Sequence, residues 1–193
     1  MYYNLEKLRN AMNNCTACSL YKNGKLVEAR LGNNAKVNQI ELMVVGEAPD
    51  KTASELGIPF QGPLGELLDQ WLKTLCPSGN FVIVNVMKHF PMKAYGDWRS
   101  PTKEEITACF PFLEAQIEIY KPKRILCVGD IAFTAITKRD KNEFKDAVGN
   151  NRTYYYKCIK CFIYYHPGYI QSKPDFRWKE QIDALATMIK SGI

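Results

Sequence analysis

The chain has 193 residues, 46% of them apolar and 24% charged, with a formal net charge of +6 and seven cysteines. That balance fits one domain, 1–193, with a sizeable core, and it excludes a disordered polymer; no apolar run approaches the roughly 20 residues needed to span a bilayer. The first residues lack the basic flank and apolar stretch of an export signal, so a soluble, cytoplasmic monomer with no membrane partner is expected; an odd cysteine count in that setting points to metal ligands or buried thiols. The positive charge favours an anionic partner, though only weakly.

In chain order, Leu5, Leu8 and Met12 have helical spacing, and Cys15-Thr16-Ala17-Cys18 interrupts it before a polar stretch to Asn38. Ile40 to Gly46 reads as a first strand. Pro63 suits a first helical turn, and Leu64, Leu67, Leu68, Trp71, Leu72 and Leu75 follow on one apolar face. Phe81 to Val86 reads as a second strand. Thr102 and Glu105 make a capping box for a helix to about Tyr120, kinked at Pro111. Arg124 to Val128 is a third strand, and Asp130 can cap a short helix through Ile136. Thr153 to Tyr156 and Cys161 to Tyr165 read as hairpin strands, and Trp178, Ile182, Leu185 and Ile189 give a closing helix. The expected fold is α/β: a three-layer αβα sandwich around a central, mainly parallel four-stranded sheet.

Three segments should emerge at strand ends: Gly46-Glu47-Ala48-Pro49, the loop at Asn85, and His166-Pro167-Gly168-Tyr169. In an open α/β sheet that edge is where ligands bind. Cys158 and Cys161 straddle a hairpin turn and read as two separate thiols, while Cys76 and Cys127 read as core.

Order and spacing of these segments resemble the uracil-DNA glycosylase superfamily, especially its iron-sulfur family 4. The residues that carry the likeness are Gly46-Glu47-Ala48-Pro49 with Gly57 to Gly65, Asn85-Val86-Met87-Lys88, Cys109-Phe110-Pro111-Phe112-Leu113 and His166-Pro167-Gly168-Tyr169. The resemblance implies an enzyme that hydrolyses the N-glycosidic bond of uracil in single- or double-stranded DNA and leaves an abasic site. It implies catalytic roles for Glu47, Asn85 and His166. His166 would donate a hydrogen bond to the departing base, Asn85 would read the base edge, and Glu47 would orient water near the cationic sugar. Gly46, Ala48, Asp50, Phe60 and Asn85 would line the base site, with Phe60 stacked on a flipped base.

Departures from the family pattern leave alternatives open. Asp50 replaces a glycine, so a glycosylase for another modified base, or a non-catalytic DNA- or protein-interaction module, are further readings. The family's cluster ligands map to Cys15, Cys18 and Cys109, with His89 in place of the remaining cysteine; a 4Fe–4S cluster, a structural zinc and no metal are all compatible with that set. For DNA contact, Arg152 and Tyr169 lead a group that includes Lys88, Lys93, Arg99, Lys157 and Lys160, expected at the active edge. Lys121, Lys123 and Arg124 are expected at the opposite end.

Overall fold

The computed structural model describes residues 4–93, 96–149, 152–173 and 175–191. Helices α1 (Leu5–Asn13), α2 (Lys51–Leu56), α3 (Gly62–Leu75), α4 (Lys103–Tyr120), α5 (Asp130–Thr137), α6 (Phe144–Gly149), α7 (Pro167–Gln171) and α8 (Trp178–Ser191) surround one sheet. Its strands are β1 (Arg30–Leu31), β2 (Leu42–Gly46), β3 (Phe81–Asn85), β4 (Arg124–Val128), β5 (Tyr154–Tyr156) and β6 (Ile159–Tyr164), in the order β1-β3-β2-β4-β6-β5.

The four strands β3, β2, β4 and β6 pair in parallel, as expected, and the antiparallel strands β1 and β5 extend the sheet to six. β1 has only two residues, too few to show an alternating pattern. The parallel strands are buried on both faces, and their side chains alternate between two cores. Met43, Val45, Val84, Ile125, Cys127 and Ile163 face α1, α4 and α5. Leu42, Val44, Ile83, Leu126, Phe162 and Tyr164 face α3 and α8. Period-2 alternation thus produces the three layers.

Local signals explain the helix ends. The Thr102/Glu105 capping box is formed, and α4 continues through Pro111 as one element. Helix α2, absent from the sequence reading, starts where the Asp50 carboxylate accepts the Ala53 N–H at 2.8 Å. It stops at Gly57, whose φ of 77° ends the helix in a left-handed turn. Asp50 therefore has a local reason to be acidic.

All four parallel strands end at the same edge, and hydrogen bonds tie those ends together. The Val86 and Met87 N–H groups donate to the carbonyls of Gly46 and Glu47, and the Gly129 N–H donates to that of Tyr164. Lys160 pairs in register with Arg124 at the opposite end, and Lys157 precedes it in the β5–β6 turn. The expectation that these two lysines reach the active edge is therefore corrected: parallel strands fix the direction of β6, and its N-terminal end lies away from that edge.

Candidate active site and metal cavity

The loops after β2 and β6 enclose an open pocket of about 710 Å³ lined by Glu47, Ala48, Asp50, Phe60, His166 and Tyr169, with Phe90, Asp97 and Trp98 on another side. This size falls in the range of small-molecule sites. Its shape depends on missing side chains. A Cβ on Gly46 would lie 2.4 Å from Asn85 Oδ1 and 2.5 Å from the Phe60 ring, and one on Gly65 would lie 2.1 Å from the Phe60 carbonyl oxygen. Phe60 itself adopts φ 53°, in the left-handed region that a bulky residue rarely occupies. Strain of this kind persists only where the surroundings over-determine it.

Asn85 ends β3 and is 1% exposed, and its Oδ1 is buried without a hydrogen-bond partner among the described residues. An orphan acceptor of this kind is costly in a finished core. Behind it stands a residue that sequence reasoning placed on DNA. Lys88 is fully buried; its ammonium donates to the Asn85 backbone carbonyl and, at 2.6 Å, to Gln116 Oε1. Burial lowers its pKa to about 8. The phosphate-contact expectation for Lys88 is corrected: this cation is a strut for the asparagine loop.

His166 caps α7 with its ring, Nδ1 accepting the Gly168 N–H at 3.2 Å. That bond leaves Nε2 as the protonated nitrogen of a neutral imidazole. Burial lowers the His166 pKa to about 4, so the ring is neutral at physiological pH and offers one N–H donor. It lies 5.6 Å from the Phe60 ring centroid.

Glu47 lies against Gly129 at the β4–α5 turn, next to Asp130, which acts on its carboxyl. Burial, then Asp130, pushes its carboxyl well above the ordinary carboxylate range. Burial works to raise Asp130, but Lys141, paired with it at 2.6 Å, and then Glu47 leave it lowered on balance. Sequence reasoning saw Asp130 only as a helix cap. Its position at the end of a parallel strand was the signal available.

Tyr169 is exposed at the pocket mouth and stacks on Tyr165 at 4.8 Å. Arg152 lines a different cavity, with Tyr164, Tyr165 and Phe176, so the structure separates it from Tyr169. Arg99 is engaged with Glu105 at 2.6 Å.

Cys15, Cys18, His89 and Cys109 line one small cavity together with Met12, Leu20, Met87 and Phe112. The Lys88 backbone N–H and ammonium act on Cys109, opposing the rise that burial imposes on its thiol. Three soft sulfur donors and an imidazole kept neutral by burial form a donor set that fits a metal group. As they stand, no three His, Cys, Asp or Glu side chains among the described residues form a set that could hold a single ion. Cys158 is exposed while Cys161 is buried beside Cys127, so the CxxC pair does not converge.

A family model described as the uracil DNA glycosylase superfamily matches residues 35–186, from before β2 to within α8. The chain belongs to the uracil DNA glycosylase superfamily. Among curated members it is similar to the type-4 uracil-DNA glycosylase of Pyrobaculum aerophilum, 33% identical over 202 aligned positions that cover 98% of this chain and 95% of that protein. The type-4 uracil-DNA glycosylase of Sulfurisphaera tokodaii is 29% identical, with 90% and 78% covered, and that of Thermotoga maritima 33% identical, with 76% and 72% covered. The superfamily match spans Glu47, Asn85 and His166, and no helix among the described residues is long and apolar enough to cross a membrane.

Proposed function

We propose that the protein is a monofunctional uracil-DNA glycosylase that hydrolyses the N-glycosidic bond of uracil in DNA during base excision repair. The observation that carries this reading is the buried, unpartnered Asn85 Oδ1 beside the Phe60 ring. Uracil presents an N–H donor at N3 where cytosine presents an acceptor. A fixed asparagine that offers Oδ1 to N3–H and its amide N–H to O4 accepts uracil and leaves cytosine mismatched. Phe60 stacks on the flipped base, and Gly46 and Ala48 let the base come close to the backbone.

Bond cleavage places negative charge on the departing base and positive charge on the sugar. The neutral His166 donates its Nε2–H to the base oxygen, and the donor needs no proton loss to act. Glu47 orients the water that attacks the sugar. Tyr169, at the mouth, wedges into the strand from which the base is taken, and Arg152, at a separate cavity, meets phosphate farther along the strand.

The type-4 names of the relatives and the shared cavity support a 4Fe–4S cluster on Cys15, Cys18, His89 and Cys109. Three thiolates and an imidazole are a set that an iron–sulfur cluster can take, with structural zinc the alternative. When bound, the cluster ties the N-terminal segment to the helix that bears Cys109. In this reading the chain acts as a cytoplasmic monomer, one domain carrying both pocket and cavity.

The test is base release from a uracil-containing oligonucleotide by metal-replete protein, with a panel of modified bases alongside. Free uracil and an abasic product are expected. DNA binding without release of any base would replace the enzyme by an interaction module, and release of a different base alone would replace the substrate.

A further inference from the structure

Among the parallel strands, β2 comes first in sequence; the chain then adds β3 on one side of it and β4 on the other. The loops after β2 and β4 therefore leave in opposite directions and open a crevice, the usual ligand position in open α/β sheets. Two carboxyl groups meet there. Glu47 follows β2, and Asp130 follows β4 as the first residue of α5. Gly129 permits the approach: with φ 98° it has no side chain to block, and a Cβ there would lie 2.4 Å from Glu47 Oε1. Lys141, in the short turn Lys141–Glu143, reaches Asp130 Oδ2 at 2.6 Å.

We propose that Asp130, fixed by Lys141, is a positioning residue that shares one proton with Glu47 and receives, through Glu47, the proton released by the attacking water. The proposal rests on the glycosylase reading and deepens it. Two ionised carboxylates at hydrogen-bond distance repel strongly, whereas two neutral ones offer no strong acceptor. Lys141 selects the intermediate case by favouring Asp130 as the ionised member. Among the described residues, Lys141 acts on the pair, His166 is neutral near pH 7 and influenced by Asp130, and Asp50, Lys51 and Asp97 line the same pocket as Glu47.

The step balances. The glycosidic bond breaks with its electron pair on the base, which leaves as an anion held by the His166 N–H. The water oxygen bonds to the sugar carbon. One water proton passes to Glu47, and the Glu47 hydroxyl proton passes to Asp130. The pair ends neutral and then returns one proton to solvent. Before that, its single negative charge faces the cationic sugar.

Single-turnover release of uracil is measured against pH for the parent, Lys141→Met, Lys141→Arg, Asp130→Asn and Glu47→Gln. Infrared spectra at pH 7 report neutral carboxyl groups without needing activity. Glu47→Gln is expected to slow release about a hundredfold or more. The parent rate should hold into mildly acid solution, because Asp130 stays ionised. Lys141→Met moves the acid limb to higher pH, and Lys141→Arg restores it. Asp130→Asn moves the limb up as well, because burial alone keeps Glu47 above the ordinary range. Lys141 is exposed, so its variants test the idea even if Asp130→Asn fails to fold. The parent should show a neutral carboxyl band that Glu47→Gln removes.

An unchanged acid limb in Lys141→Met, or no such band in the parent, overturns the shared proton. A parent that shows the band but releases no uracil under any condition overturns the glycosylase reading, and the relay step with it.

Discussion

The base pocket and the cysteine cavity lie on either side of the Asn85 loop, and they are built in different ways. The pocket is set by backbone: Gly46, Gly65 and Gly129 bring Asn85, Phe60 and Glu47 closer than any side chain at those positions would allow. His166, in the pocket wall, is neutral before a ligand arrives, and Asn85 Oδ1 is buried near Gly46 without a hydrogen-bond partner among the described residues. The cavity is set by packing. Its donors come from the segment after α1, the loop after β3 and the helix α4, brought together by apolar neighbours such as Met12, Leu20 and Phe112. Chemistry that depends on tenths of an ångström is placed on the rigid part, and cohesion between segments is left to the adaptable part.

The comparison can be broken most severely at the pocket. His166→Ala should slow single-turnover uracil release by a hundredfold to a thousandfold, about 2.7 to 4 kcal/mol of barrier, while DNA affinity changes little. A matching loss of affinity would mean that the ring binds rather than catalyses. Next, Gly46→Ala should cost about 1–3 kcal/mol by overpacking Asn85 and Phe60, and it should reduce uracil release even in protein that remains folded. A fully active variant would show that the pocket is softer than its glycines indicate.

At the cavity, removal of the bound metal group should act on stability first. A group saturating its site about a hundredfold contributes about 2.7 kcal/mol. Its loss should lower the melting temperature by roughly 5–11 °C in a chain of this size. Activity per folded molecule should change less than in His166→Ala, and calorimetry with kinetics on the same sample separates the two.

A pH effect of comparable size on stability comes from His166. Its pKa is lowered from 6.5 to about 4 on folding, so between those values the unfolded chain binds more protons. This residue's share of stability is therefore undiminished above pH 6.5 and is lost progressively as pH falls towards 4. Histidine NMR should show a neutral ring with Nε2–H through that window; a titration midpoint near 6.5 would overturn the donor assignment. The smallest expected change is Asp50→Asn, which keeps the α2 cap and should alter stability by a few tenths of a kcal/mol. A large change in base preference in that variant would show that the charge itself screens substrates.

Much of this architecture was legible in the sequence. β2, β3 and β4 are buried apolar runs, and the start of α4 follows from Thr102 and Glu105. The strand ends that carry Glu47 and Asn85 followed from the same runs, and that of His166 from the run ending at Tyr164. What was not legible depends on distant partners. Lys88 looked like a surface cation because Gln116, its buried acceptor, lies 28 residues away on α4. Asp130 looked like a cap because its neighbour Glu47 belongs to a different loop, and only the strand order places them together. Lys160 was misplaced because a hairpin turn and a strand end look alike until the direction of β6 is known.

Phe60 has one more consequence, for how such a site can change over generations. Its left-handed backbone, the space above Gly46 and the space above Gly65 interlock, so a side chain added at Gly46 meets the Phe60 ring and one added at Gly65 meets the Phe60 backbone. These positions must vary together or hardly at all, and single-step adaptation of that wall is closed. The opposite wall carries Asp97 and Trp98, and Trp98 is exposed. Selection for bulkier lesions, in nature or in the laboratory, should therefore accumulate its first substitutions there, with the Phe60 side changing only in paired steps.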